Sequence, residues 1–152
     1  MLEYHKMTEE EKYCIARWKY PGEYAIYNSL SYEEQKKRGF GFANPENHLY
    51  SFYDGKELVG FINLNGEDPG VFFGIGVNPD CCGKGYGQQM TRTAWEISQT
   101  LFPGKPMYLE VRTWNQRAIR CYEKAGFRIV GEPIQQTTSI GEGAFYHMVR
   151  RG

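Results

Sequence analysis

Gly83, Gly85 and Gly87 stand at alternate positions just after an apolar run, Val71-Phe-Phe-Gly-Ile-Gly-Val77, that stops at Asn78-Pro79. A helical pattern begins at Tyr86, which places bare backbone N–H groups at a helix N-terminus. Unpaired donors and the positive end of the helix dipole attract an anion there. Glycine lets a bulky phosphate approach the main chain and permits positive φ. The chemistry implied is the holding of a phosphorylated ligand just beyond a strand. The spacing, GxGxG, is neither the P-loop's GxxxxGK followed by Ser or Thr nor the dinucleotide fingerprint GxGxxG. The same glycines also suit a tight turn with close helix–sheet packing, and by themselves they leave that alternative open.

A second run carries polar groups of other kinds: Glu110-Val-Arg-Thr-Trp-Asn115-Gln-Arg-Ala-Ile-Arg-Cys-Tyr122-Glu-Lys-Ala-Gly126-Phe127. Asn115 and Tyr122 are separated by almost two helical turns, so they share one face. Each has a plain structural reading. Asn115 suits a helix N-cap, Tyr122 a core tyrosine, and Glu110 the solvated face of a half-buried strand. Their joint placement downstream of an anion-binding loop is what draws them into one site.

The elements that must position these residues are legible from periodicity. Residues 1–6 suit a short strand. Thr8-Glu-Glu-Glu11 is a capping box and opens a helix to about Arg17. Ser31–Arg38 starts like a second helix, broken by Gly39, Gly41 and Asn44-Pro45. Residues 49–54 and 57–64 are strands around an Asp54-Gly55 hairpin turn. Residues 65–70 turn the chain into the strand 71–77. Tyr86, Met90, Ala94, Ile97 and Leu101 recur at helical spacing and make one apolar face, which ends at Phe102-Pro103-Gly104. In 107–112, Met107, Leu109 and Val111 face one way and Tyr108, Glu110 and Arg112 the other. Residues 115–125 form a helix closed by Gly126. Residues 127–130 and 144–149 are the last strands. Hairpins followed by a βαβαβ order predict one α/β (α+β) domain over 1–152, a mixed sheet with helices on its faces.

Composition narrows the function. The chain has 152 residues, 41% hydrophobic and 24% charged, with a formal net charge of zero. That balance is globular and argues against tracking nucleic acid or an anionic membrane surface. No apolar run reaches transmembrane length, and Met-Leu-Glu-Tyr-His-Lys is not the start of a signal peptide, so the cytoplasm is the expected location. Cys14, Cys81, Cys82 and Cys121 lack disulfide or zinc spacing, and His5, His48 and His147 are scattered. Free thiols and no metal are expected.

The two runs together resemble those of the GNAT (GCN5-related) N-acetyltransferase superfamily, most strongly over about 57–130. Gly83-Lys-Gly-Tyr-Gly87 is similar to that family's pyrophosphate loop, Gln/Arg-x-x-Gly-x-Gly/Ala. Asn115-x-Arg-Ala-x-x-x-Tyr122-Glu-Lys-x-Gly-Phe127 is similar to its second acetyl-CoA segment. One departure is that Cys82 stands at the Gln/Arg position. The resemblance implies a mostly antiparallel sheet splayed between strands 71–77 and 107–112, with acetyl-CoA as co-substrate in the splay. Pantetheine would pair with the backbone of Ile75 and Val77 and contact Asn115. The pyrophosphate would sit on the amides of Gly83, Lys84, Gly85, Tyr86, Gly87 and Gln88, with Lys84 adding charge and Gln88 a polar contact.

Acetyl would pass directly to an amine, either a protein N-terminus or a small molecule. Such an amine is protonated near neutrality and needs a base, for which Glu110 has the right chemistry. The departing thiolate needs a proton, which Tyr122 can give, and N–H groups near 76–77 can hold the oxyanion. The run from Leu109 to Tyr122 is particularly similar to RimI-type enzymes, where the matching Glu and Tyr serve as base and acid. Glu67 and Asp68 are the alternative bases. A non-catalytic acyl-CoA-binding or sensor domain is the competing reading, and a homodimer is left open. Ten aromatics between residues 18 and 53 suit either an acceptor rim or plain packing, with packing favoured.

Overall fold

A computed structural model describes residues 2–67, 69–138 and 141–152. Asp68, one of the alternative bases, lies outside the described residues. The elements run β1 (Glu3–Lys6), α1 (Glu9–Ala16), α2 (Tyr32–Arg38), β2 (His48–Asp54), β3 (Glu57–Gly66), β4 (Val71–Val77), α3 (Tyr86–Leu101), β5 (Met107–Arg112), α4 (Gln116–Lys124), β6 (Arg128–Ile129), β7 (Ile134–Thr138) and β8 (Gly141–Arg150). Short 3-10 turns at Gly22–Tyr27, Gly41–Ala43 and Pro79–Cys81 link them.

The eight strands form one sheet in the order β1-β2-β3-β4-β5-β8-β6, with β7 also on β8. Every pairing is antiparallel except β4 with β5. That parallel pair is the one place where a crossover helix, α3, must return the chain to the same end of the sheet. The main core lies on the α3 and α4 face, where Ile62, Leu64, Met90, Met107, Phe127 and Met148 are all fully buried. A second cluster, Met7, Ile15, Ala16, Tyr32 and Phe42, packs under α1 and α2 on the opposite face with Leu58 and Phe61. Helices therefore cover both faces, as the sequence predicts.

Local chemistry explains most boundaries. Thr8 accepts from Glu11 N at 3.2 Å while Glu11 accepts from Thr8 N at 2.9 Å, closing the capping box that opens α1. Ser31 caps α2, and Gly39 ends it in the left-handed region. Met90, Ala94 and Ile97 are buried along α3 as their spacing predicts, but Leu101, the last residue of the helix, is 38% exposed. The β2–β3 turn falls one residue later than predicted, on Gly55-Lys56, since Asp54 pairs with Glu57. The strand predicted over 127–130 shortens to Arg128–Ile129, and Phe127 is instead a core side chain. The strand predicted over 144–149 extends across 141–150 and pairs with β7, which polar Gln135, Gln136 and Thr137 hide from any periodicity.

Candidate active site

The site begins where strand pairing fails. β4 and β5 are matched only at Val71↔Met107 and Phe72↔Tyr108. Beyond that, β4 stays with β3 as far as Gly60↔Val77, and β5 stays with β8 as far as Arg112↔Phe145. The two middle strands thus diverge, and the backbone groups along their facing edges are left for another partner. A cavity of about 620 Å³ fills the divergence, within the usual range for a ligand site. Ile75, Val77, Glu110, Asn115 and Tyr122 all line it.

At one end of the cavity, Asn78 turns the chain out of β4, its Oδ1 accepting from Asp80 N at 2.9 Å. Gly83 and Gly85 both adopt φ +81°, a left-handed conformation that only glycine takes without strain. Gly85 is the N-cap of α3, so no side chain satisfies the first amides, and no acid stands in the first turn. Those amides and the helix dipole form an uncompensated positive site. A Cβ on Gly87 would touch Cys121 Sγ at 3.4 Å and Val77 Cγ2 at 3.7 Å, so the bare backbone lets α3 approach β4 and α4 closely. Gly83, Gly85, Tyr86, Gly87 and Gln88 line the cavity, but Lys84 does not. The Tyr86 hydroxyl donates to Asp54 Oδ2 at 2.6 Å, so its backbone rather than its phenol faces a ligand at the loop. Cys82 lines the cavity too, its thiol donating weakly to Asn78 O at 3.7 Å.

Alternation along the strands places the polar candidates. Leu109 and Val111 are buried on the α3–α4 face, so Tyr108, Glu110 and Arg112 point to the other. Tyr122 stands on the α4 side, its ring edge-on to Phe73 at 6.4 Å and against Phe127 at 6.0 Å. Burial raises its pKa well above the ordinary tyrosine value, with Cys121 and Tyr27 adding to the shift, which keeps the phenol protonated. Its hydroxyl has no hydrogen-bond partner among the described residues. Its ring packs against the core, and the residue also lines the cavity.

Glu110 keeps 34% of its side chain exposed and sits directly across from His147, whose Nδ1 lies 3.9 Å from Glu110 Oε2. That separation exceeds a hydrogen bond and suits a shared water. His147 also lies against the Tyr108 ring, 5.4 Å between centroids. Glu67 is occupied elsewhere. It accepts from the Tyr108 hydroxyl and does not line the cavity.

Asn115, 6% exposed, does two things at once. Its Oδ1 caps α4 by accepting from Ala118 N at 3.2 Å, and its Nδ2 donates to Tyr27 Oη at 3.0 Å. One amide proton remains for a ligand. Sequence reasoning missed two neighbours of the candidate residues. His147 does not line the cavity but meets Glu110 through its register on β8, which no local pattern reveals. Tyr20 donates its hydroxyl to Val77 O at 2.9 Å, capping a carbonyl expected to face the cofactor. Burial, and to a lesser degree Cys82, raises the Tyr20 pKa, so it remains a donor.

Among the described residues no group of His, Cys, Asp and Glu could hold a metal ion, and no helix is long and apolar enough to cross a membrane.

The comparisons with known proteins agree with this geometry. The crystal structure of a spermidine N-acetyltransferase from Vibrio cholerae in complex with CoA and spermine superposes with a TM-score of 0.76 at 19% identity, over 99% of this chain and 95% of that one. The ribosomal-protein-S18-alanine N-acetyltransferase from Escherichia coli gives 0.72 at 18% identity, over 99% and 94%. The N-alpha-acetyltransferase RimI of Mycobacterium tuberculosis is 34% identical over 94 residues, which cover 59% of this chain and 57% of that protein's length. The family model described as the acetyltransferase (GNAT) family matches residues 10–127. A sheet opened between β4 and β5, a glycine loop feeding α3 and a match across most of the sequence converge: the chain belongs to the GNAT acetyltransferase family.

Proposed function

We propose that this protein is an acetyl-CoA-dependent N-acetyltransferase that moves acetyl directly from the thioester to a primary amine. The observation that carries the reading is one continuous cavity. It joins the uncapped N-terminus of α3 to an acidic group, Glu110, and to an unpartnered phenol, Tyr122. The α3 amides and Gln88 suit a pyrophosphate. The open edges of β4 near Ile75 and Val77 suit the pantetheine amides, with the remaining proton of Asn115 beside them. Cys82 supplies no charge to the phosphates, so the backbone amides carry that contact.

In this reading the acceptor amine gives its proton to Glu110, directly or through water, and attacks the carbonyl carbon. The C–N bond forms, the C–S bond breaks, and Tyr122 protonates the departing thiolate. Backbone N–H groups near Gly76 and Val77 stabilise the oxyanion. His147, across from Glu110, is the next group outward for the released proton.

The test is thiol release from acetyl-CoA across a panel of N-terminal peptides, polyamines, aminoglycosides and amino acids, with calorimetric binding of acetyl-CoA beside it. Stoichiometric binding is expected, weakened at least tenfold, about 1.4 kcal/mol, in a folded Gly85→Val variant. Unchanged affinity in that variant would remove the pyrophosphate from the loop. Tight binding with no thiol release for any amine would favour a non-catalytic acyl-CoA sensor.

A further inference from the structure

The acetyl-transfer reading leaves the acceptor open, and the cavity wall on the Glu110 side of the sheet restricts it. That wall is aromatic. Phe61 and Phe72 rise from β3 and β4, Phe145 from β8, Trp18 follows α1, and Tyr24 and Tyr27 come from the 3-10 turn. Gly76 makes room for one of these rings, since a Cβ there would collide with Phe61. Gly76 therefore leaves its part of the Glu110-side surface of β4 to Phe61.

The wall is also held in place. Trp18 lies against Phe61 at 6.4 Å, and Phe42 meets Phe61 edge-on at 5.2 Å. Tyr24 and Tyr27 pack on Trp114 at 5.6 and 6.3 Å, and Tyr27 is tied to Asn115. Trp18, Tyr24, Phe61, Phe72 and Phe145 nonetheless remain only partly buried. They present ordered apolar surface to an open cavity, where covering it by a ligand is favourable.

The charges point the same way. Among the described residues lining the cavity, Glu110 is the only carboxylate, whereas Arg112, Arg117, Arg120 and Lys124 are cations. Arg117 is already stacked on the Tyr24 ring at 4.3 Å. A polyamine spreads several positive charges along its length and needs matching acids. This cavity offers one acid, too few for the spread charges of a polycation.

Resting on the acetyl-transfer reading, we infer that the acceptor is a monoamine carrying a bulky apolar group, preferably an aromatic ring, within one or two carbons of the nitrogen. The ring would lie against Trp18, Phe61 and Phe72 while the single amine meets Glu110. Small aryl-alkylamines and peptides that begin with a large apolar residue share this chemistry.

Thiol release from acetyl-CoA is compared for phenethylamine, propylamine and spermidine, and for short peptides beginning with Phe, Leu, Gly or Asp. The expected kcat/KM for phenethylamine exceeds that for propylamine and spermidine by at least tenfold. Within the peptides, Phe and Leu exceed Gly and Asp by a similar factor. The two arms separate a free small amine from a peptide terminus as the source. Trp18→Ala and, independently, Phe72→Leu should raise KM for the preferred aromatic acceptor severalfold while leaving calorimetric acetyl-CoA affinity unchanged. Faster turnover of spermidine, or equal turnover of Phe- and Gly-peptides and of phenethylamine and propylamine, would overturn the inference and leave acetyl transfer standing. Absence of thiol release with every amine would overturn both.

Discussion

Glu110 and Tyr122 line one cavity from opposite faces of the sheet. Glu110 leaves β5 on the side away from the main core, while Tyr122 reaches the same opening from α4, within that core. Only a sheet whose middle strands part can let a carboxylate on one face and a phenol on the other address the same small group. In the proposed reaction this separates the base that serves the acceptor from the acid that serves the departing thiol.

Tyr122→Phe keeps the ring packed on Phe73 and Phe127 and removes one hydroxyl. If that hydroxyl protonates the thiolate, kcat should fall about a hundredfold or more with little change in acetyl-CoA affinity. Steady-state kinetics beside calorimetry check it. Turnover within threefold of wild type, with chemistry rate-limiting, would make Tyr122 a packing residue alone.

Glu110→Gln preserves shape and removes the base. At high pH an amine loses its proton unaided, so the loss in kcat/KM should be concentrated on the acid side of the pH profile. An unaltered profile would transfer the role to ordered water or to another acid.

Tyr20 donates to the carbonyl of Val77, which in the proposed reading would otherwise accept from a pantetheine amide. Tyr20→Phe deletes the resident hydrogen bond, which is worth about 0.5–1.5 kcal/mol net. Acetyl-CoA should therefore bind about two- to tenfold more tightly, as measured by calorimetry. Weaker binding would instead show that the Tyr20 hydroxyl itself contacts the cofactor.

Glu11 makes the fold acid-sensitive far from the site. Burial pushes its carboxyl pKa up, but hydrogen bonds from Tyr53, Thr8 N, Ser51 and His5 outweigh that and hold it at about 2. Because the folded value lies below the ordinary 4.5, the stabilisation is full above about 4.5 and is lost as pH falls toward about 2. Its size is on the order of 3 kcal/mol. Glu11→Gln should lower the denaturant midpoint at neutral pH and flatten this acid dependence. An identical pH–stability curve in the variant would assign the acid response to other carboxylates.

Local patterns in the sequence determined the parts that rest on local physics. The capping box at Thr8, the glycine-rich entry to α3, the period of its buried face and the alternation along β5 each follow from residues within a few positions of one another. The resemblance of the two runs to GNAT motifs was legible for the same reason, because each run is contiguous. What needed the tertiary structure is everything that depends on register between distant strands. The divergence of β4 from β5 after Phe72↔Tyr108 comes from each strand keeping its outer partner, a competition that neither strand's sequence encodes alone. It decides that Glu110 faces the cavity with His147 opposite, that Glu67 is bound instead to Tyr108, and that Tyr20 caps Val77 across 57 residues of chain. The aromatics between 18 and 53 show the division most plainly. Composition favoured packing for all of them, and only folding sorted them, sending Tyr32 and Phe42 into the second core and leaving Trp18, Tyr20, Tyr24 and Tyr27 along the cavity.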